Sequence, residues 1–277
     1  MTTTAAVPVF DNGAGSYIRI SGTQHMEAVS SMPDWLAQML HNLILTGQCT
    51  DITLELNDSM MTQVLDSGTV STSSDFVLAG TCTTSFQTSG ANRSNNIVVG
   101  ASRLNNLIVL PGQTVSVSDT ILPRTRANGY KEAGVYVNGA HTSGLGGGVC
   151  QISSTVYNAV KNAGLTVVQR NPHSMPVSYL PKGLDAAIAA GSKDLKFRND
   201  YTTPVVLYTD TSNKHLTVNV LVWNQELAGR SFKLWAKQTG ALSADTYFTT
   251  YLNGKEISTQ FVGTSRYNPY REAVNDD

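Results

Sequence analysis

Residues 144–164 read GLGGGVCQISSTVYNAVKNAG. Four of the first five are glycine, Val149 and Cys150 follow, and an apolar-periodic run continues to Gly164. The pattern predicts a glycine turn opening directly into a helix over Val149–Ala163. On that helix Val149, Ile152, Val156, Ala159, Val160 and Ala163 share one face, and Cys150, Ser154, Tyr157 and Lys161 lie opposite. A cysteine in the first turn sits at the positive end of the macrodipole, beside unpaired backbone N–H groups that favour a thiolate. Those groups, with the amides of Gly146, Gly147 and Gly148, can bind an oxyanion, and glycines let a substrate backbone come close. A small buried core cysteine is the competing reading. A phosphate cradle is a third, but no GKS or GKT follows and the GxGxxG spacing is missing.

A thiolate nucleophile needs a base. Of five histidines, His25 and His41 lie far upstream, His141 sits in the glycine-punctuated loop, and His215 falls at a hairpin turn. His173 is placed by chain length. A helix of about 14 residues rises about 21 Å, and a strand from Leu165 to Pro172 can return about 26 Å. An antiparallel return therefore brings His173 back level with Cys150. Asp185, after the turn PKGLD, is the first choice for the orienting third group, and Asp194 and Asn171 also qualify. Arg93 and Arg170 are candidate anchors for a substrate carboxylate, because a guanidinium fork matches a carboxylate.

Composition narrows the class. The 277 residues are 41% hydrophobic, enough for a real core, and carry a formal net charge of −1. With no basic surplus and no nucleic-acid motif, nucleic acid is not an expected partner. Only 14% of residues are charged, and Ser, Thr and Asn fill the polar positions. No apolar run reaches ~18 residues, so no membrane-spanning helix is expected. MTTTAAVPVF has neither the basic n-region nor the long apolar h-region of a signal peptide. A cytoplasmic protein and a chain whose targeting segment has been removed both fit. Cys49, Cys82 and Cys150 have no zinc-ligand spacing, so neither a metal nor another cofactor is expected. One disulfide plus a free thiol, or three free thiols, both fit.

The expected fold class is α+β, a β-rich domain holding the glycine loop and cysteine helix, plus a small α+β N-terminal unit. Residues 1–76 form that unit, with a strand at 17–20, a helix from Pro33 to Gly47, a strand at 50–56 and a Ser/Thr-rich linker at 67–74. Residues 77–225 form the main domain. It begins with the strand FVLAGTCTTSF, a helix over 94–107 with Ile97, Ala101 and Leu104 on one face, and a strand–turn–strand in LIVLPGQTVSVS. A long glycine-punctuated loop then leads into the cysteine helix, and LTVVQ, VVLYTD and HLTVNVLVW read as strands. Residues 226–277 form a β-hairpin extension packed on this domain, with a turn at Asn253-Gly254 and a polar tail after Tyr267.

GGGVCQISSTVYNAV, then RNPHSMPVSYLPKGLDA, then DLKFRND, resembles the VanW domain family. TSFQTSGANRSNNIVVGASRLNNLIVLPGQTVSV and GYKEAGVYVNG resemble the opening of the same domain, so the likeness covers roughly 80–210. Residues 15–75 are weakly similar to a shortened form of the peptidoglycan-binding unit that often precedes such domains.

The resemblance implies a Gram-positive, extracellular cell-wall enzyme, tethered to the membrane by a segment not among these residues. The family is named for vancomycin-resistance gene clusters, and some members are L,D-transpeptidases whose nucleophile is the cysteine of the GGGVCQ motif, here Cys150. The expected site is then Cys150, His173 and Asp185, with Gly146, Gly147, Gly148, Gln151, Arg93, Arg170 and Tyr179 binding substrate or oxyanion. The expected partner is a peptidoglycan stem peptide, and the reaction forms 3–3 cross-links through a thioester. A non-catalytic peptidoglycan- or glycopeptide-binding wall module, and a cysteine carboxypeptidase acting on stem peptides, are the alternatives.

Overall fold

The computed structural model describes residues 9–11, 16–21, 51–56, 76–137, 140–189 and 191–269. Contacts divide the chain into two units, Met1–Val77 and Leu78–Asp277. In the first, β1 (Val9–Asp11), β2 (Ser16–Ser21) and β3 (Asp51–Leu56) form an antiparallel sheet in the order β1-β2-β3. The helix expected from Pro33, the linker at 67–74, and Cys49, His25 and His41 lie outside the described residues, as do residues 270–277.

The second unit is α+β and strand-rich. Its elements begin with β4 (Phe76–Ser85), α1 (Ala91–Ser102), β5 (Leu107–Val109), β6 (Thr114–Ser116) and the single turn α2 (Val117–Thr120). Next come β7 (Glu132–Val137), β8 (Ala140–Leu145), α3 (Val149–Asn162), β9 (Thr166–Gln169) and β10 (Lys196–Arg198). The chain closes with β11 (Val205–Asp210), β12 (His215–Trp223), the short α4 (Asn224–Leu227), β13 (Arg230–Gly240), β14 (Ser243–Leu252) and β15 (Lys255–Arg266). One sheet runs β4-β12-β11-β5, a second β6-β10-β9, and a third β13-β14-β15, with β7-β8 a separate hairpin.

Helix α3 sits at the centre, against α1, β9, β12 and β13. Its apolar face is fully buried at Ile152, Val156, Ala159 and Val160. β12 meets it with strict alternation, burying Leu216, Val218, Val220 and Val222 and leaving His215, Thr217, Asn219 and Leu221 partly exposed. Each such aliphatic side chain adds about 1.5–3 kcal/mol of burial. Two sequence-level boundaries change. The helix expected over 94–107 starts and ends earlier, at Ala91–Ser102, and Leu104 packs from the turn that follows. The loop expected before the cysteine helix is a hairpin, β7-β8, in register from Glu132↔Leu145 to Val137↔Ala140. Glycine and alanine dilute its alternation, which is why the sequence reads as a loop.

The third sheet is a meander. Asn253 and Gly254 both take left-handed backbone, at φ 48° and 79°. That is the type I′ turn whose twist matches flanking strands. β4 lies hard against α3 at Gly80. A Cβ there would come 2.3 Å from the Ala159 carbonyl oxygen and 2.4 Å from the Ala163 nitrogen, both backbone atoms that cannot swing aside. Gly80→Ala therefore lowers stability by at least about 2 kcal/mol. Urea unfolding measures this, and a wild-type midpoint would contradict the packing.

Candidate functional site

Gly148 caps α3 in left-handed backbone, φ 110°, a conformation that glycine adopts without strain. A Cβ on Gly147 would lie 2.6 Å from the Gly134 carbonyl oxygen, and one on Gly146 2.8 Å from Arg124 Cδ. Gly146 and Gly147 are buried, so these two make room for β7 and for an arginine rather than opening a path for substrate. In the first helical turn, the Val149 N–H donates to Gly146 and the Gln151 N–H to Gly148. The Cys150 N–H has no acceptor among the described residues. It is the backbone donor left for an oxyanion beside the thiol.

The face of α3 opposite its apolar stripe is covered, not open. Ser154 and Asn158 are buried. Asn158 Nδ2 donates to the Leu184 carbonyl (2.7 Å), and Ser154 Oγ accepts from the Ala186 N–H (2.9 Å) and donates to the Cys150 carbonyl (2.7 Å). The Cys150 thiol donates to the Ile188 carbonyl at 3.3 Å. The polar side of the helix thus carries the backbone of residues 184–188, which sets Asp185 beside it. Polar side chains on this face of so buried a helix, Cys150, Ser154 and Asn158, satisfy peptide groups of the covering segment.

His173 follows β9 and returns to the start of α3, close enough to Cys150 that each changes the other's proton affinity. Asp185 is fully buried and takes both the His173 backbone N–H and Nδ1 at 2.7 Å. An ionised carboxylate only accepts, so Nδ1 carries its proton and Nε2 is the ring nitrogen left available to the thiol. Asp185 Oδ1 accepts from the Tyr267 hydroxyl and from Arg170 Nη2 at 3.3 Å. Arg170 also donates to the Asp185 and Gly183 carbonyls and to Ser265 Oγ. It braces the carboxylate and is not open to a substrate. Asp194 serves elsewhere, accepting from Ser116 Oγ and the Ser118 N–H at the start of α2. Asn171 donates to the Asp194 carbonyl and accepts from the Ala187 N–H. Of the three groups considered for orientation, Asp185 alone meets His173.

The remaining expected residues surround the thiol at different ranges. Gln151 is buried and donates to Thr84 Oγ1 and the Ser85 carbonyl, while its Oε1 accepts from Arg93 Nη2 at 2.9 Å. It holds Arg93 in place. Arg93 also donates to Ser89 Oγ, and its charge is felt at both Cys150 and Tyr179. The Tyr179 hydroxyl lies 3.4 Å from Ser154 Oγ. Burial and the Cys150 charge push its phenol up, so it stays a neutral donor.

Electrostatics complete the picture. Burial pushes the Cys150 thiol up, but the hydrogen bond and charge of His173, with the Arg124 charge, outweigh it and bring it below its ordinary value. Burial pushes His173 down, and Asp185 and Cys150 overcome that and raise it to about 9. Burial pushes Asp185 up, and its hydrogen bonds from His173 and Tyr267 and the Arg170 charge bring it down to about 2. Both shifts lean toward a thiolate–imidazolium pair beside a fixed carboxylate, formed when the thiol gives up the proton it directs at the Ile188 carbonyl. Such a pair can attack a carbonyl and protonate the group that leaves.

Two residues of this site carry no sequence signal. Tyr267 sits after the last strand, 82 positions from its carboxylate partner. Arg124 lies in an irregular segment between α2 and β7. Among the described residues, no group of three His, Cys, Asp or Glu side chains could hold a metal ion, and no helix is long and apolar enough to cross a membrane.

The scaffold is thus an α+β domain built around a helix-N-terminal thiol, an imidazole and a buried carboxylate. Residues 92–221 match the family described as VanW like protein, so that segment is VanW-like. It is 42% identical over 128 residues to the "Uncharacterized protein YoaR" of Bacillus subtilis, covering 46% of this chain and 42% of that protein. It is 35% identical over 114 residues to the "Vancomycin B-type resistance protein VanW" of Enterococcus faecalis, covering 39% and 42%. The chain spans about two fifths of the length of these curated relatives. No solved structure matches.

The ion pair predicts a reactivity profile. Iodoacetamide labels Cys150 rapidly at neutral pH, whereas Cys82, pushed to about 12 by burial, stays unlabelled. The Cys150 rate falls as acid protonates the thiolate. His173→Ala moves that fall to higher pH, because the imidazolium no longer favours the thiolate. Peptide mapping by mass spectrometry reads each cysteine, and equal labelling of Cys150 and Cys82 at pH 7 would refute the pair.

Proposed function

We propose that this protein is a cysteine-dependent acyltransferase of the cell wall, an L,D-transpeptidase acting on peptidoglycan stem peptides. The observation that carries the reading is the Cys150–His173–Asp185 relay at the start of α3. The relative's printed association with vancomycin resistance supports the cell wall as the place of action. The substrate lies outside the membrane, so the domain works at the cell surface.

The Cys150 thiolate attacks the carbonyl at the L-centre of the third residue in a donor tetrapeptide. The carbonyl oxygen becomes an oxyanion facing the Cys150 N–H and the positive end of α3. As the C–N bond breaks, His173 Nε2 gives its proton to the departing amine of the terminal D-residue. A thioester remains on Cys150. Neutral His173 then takes a proton from the side-chain amine of an acceptor stem as that amine attacks, forming a 3–3 cross-link and releasing the thiol. Water in place of the amine gives a carboxypeptidase. Asp185 keeps Nδ1 protonated throughout.

Purified protein incubated with a disaccharide tetrapeptide yields cross-linked dimer, or the trimmed tripeptide, detected by mass spectrometry. Cys150→Ala yields neither. If that variant makes as much product as wild type, the nucleophile assignment fails; if wild type makes none, the domain is a binding module. Asp185→Asn lowers turnover by on the order of 10²–10⁴-fold through loss of the imidazolium and of the Nδ1 tautomer. The pH profile of kcat/KM rises with formation of the thiolate and falls as pH passes about 9, where His173 loses the proton it must donate. A profile still rising above pH 9 would remove His173 as the acid.

A further inference from the structure

Three arginines stand around the site, and their engagement differs. Arg170 makes four hydrogen bonds within the fold, and Arg93 is held by Ser89 and Gln151. Arg124 makes no hydrogen bond to any described residue, and its Nη1 is buried without a partner. A buried guanidinium nitrogen left unmatched is costly and calls for a partner. The Arg124 stem lies across Gly146, whose added Cβ would meet its Cδ at 2.8 Å and its Cγ at 3.5 Å. Gly146 is four positions before Cys150, and the Arg124 charge reaches the thiol. The first glycine of the buried turn is therefore a seat for this side chain.

We infer that Arg124 is the receptor for the free C-terminal carboxylate of the donor peptide, and that it sets the specificity of the site for peptides ending one residue beyond the attacked carbonyl. The inference rests on the acyl-transfer reading above and adds its substrate requirement. A peptide advances at most about 3.3–3.6 Å per residue. A cation close to the nucleophile can reach the carboxylate of the next residue but not that of a residue much further on. Bound there, the carboxylate gives the guanidinium two parallel charge-assisted hydrogen bonds, which supply its missing acceptor. In the acylation step, Cys150 Sγ bonds the carbonyl carbon, the C–N bond breaks, and the His173 proton passes to the amine. The carboxylate departs unchanged on the released amino acid, so the contact with Arg124 is lost with the leaving group and the acyl chain stays behind.

Two reagents test this without a peptide. Iodoacetate and iodoacetamide alkylate the same thiolate and differ in carrying a carboxylate or an amide. Arg124→Gln changes the thiolate fraction equally for both, so the ratio of their rates isolates carboxylate recognition. The iodoacetate/iodoacetamide ratio at Cys150 falls at least about tenfold in Arg124→Gln, in line with one charge-assisted contact, and Arg124→Lys falls between. Donor tetrapeptides ending in a free acid or a C-terminal amide give the second arm. Wild type prefers the acid by about 10–100-fold in kcat/KM, mainly through KM, and Arg124→Gln loses that preference. Circular dichroism and thermal unfolding confirm that each variant is folded. An unchanged reagent ratio with a fast-reacting Cys150 overturns the Arg124 assignment alone. A Cys150 inert to both reagents in wild type overturns the acyl-transfer reading and this inference with it.

Discussion

A carboxylate with no solvent exposure organises this domain. Asp185 is buried, and an ion in that position persists only if its oxygens are satisfied. One oxygen takes two hydrogens from His173, and the other takes Tyr267 and Arg170. These donors come from the exit of β9 and from the residue that follows the last strand. Closing the site therefore requires that the C-terminal meander be in place. The meander is also tied to residues 183–185 through Thr246, whose hydroxyl donates to the Gly183 carbonyl, and through Ser265, which accepts from Arg170. A sheet far from the cysteine in sequence is thus part of what fixes the imidazole.

Helix α3 provides the other half. Its apolar face builds the core, and its polar face, through Ser154 and Asn158, carries the peptide groups that position Asp185. One element therefore sets the thiol, by the place of Cys150 in the first turn, and the buried carboxylate, by side chains one and two turns further along. The histidine arrives separately, from the strand that runs back along the helix. Strand β9 spans only Thr166–Gln169, shorter than the strand expected to Pro172, and the chain from Arg170 to Pro172 completes the return to His173.

Those features divide according to how local their signals are. The apolar periodicity of 149–163 marks the helix and puts Cys150 off the core stripe, and the structure adds that this side is covered. The length of α3 and the eight residues 165–172 that follow it, of which β9 is the paired part, suffice to bring His173 back. The choice among Asp185, Asp194 and Asn171 cannot be read the same way. All three lie in irregular chain, where no period fixes direction, and only the contacts of 184–188 with α3 decide it. Arg170 and Arg93 look alike in sequence, yet one is a brace and the other a tethered cation near the thiol, since their partners are remote. The hairpin β7-β8 hides because glycine and alanine interrupt its alternation.

The charges around Cys150 show which way the balance of the site leans. Burial alone would keep the thiol protonated. Against it stand an imidazole raised to about 9, two arginines within electrostatic reach, and the positive end of a helix. Tyr179 contributes no opposing charge, because it stays neutral. Asp185 is the sole carboxylate in the relay, and Arg170 and Tyr267 turn part of its field away from the sulfur. The thiolate thus becomes one anion among several cations, and a surplus of positive charge remains once it has formed. A surplus of that kind stabilises two further negative charges that an acyl transfer must bring in, the oxyanion of the tetrahedral intermediate and any carboxylate the substrate carries. The same surroundings that favour a thiolate therefore also favour any negatively charged group brought beside it, before shape complementarity is considered.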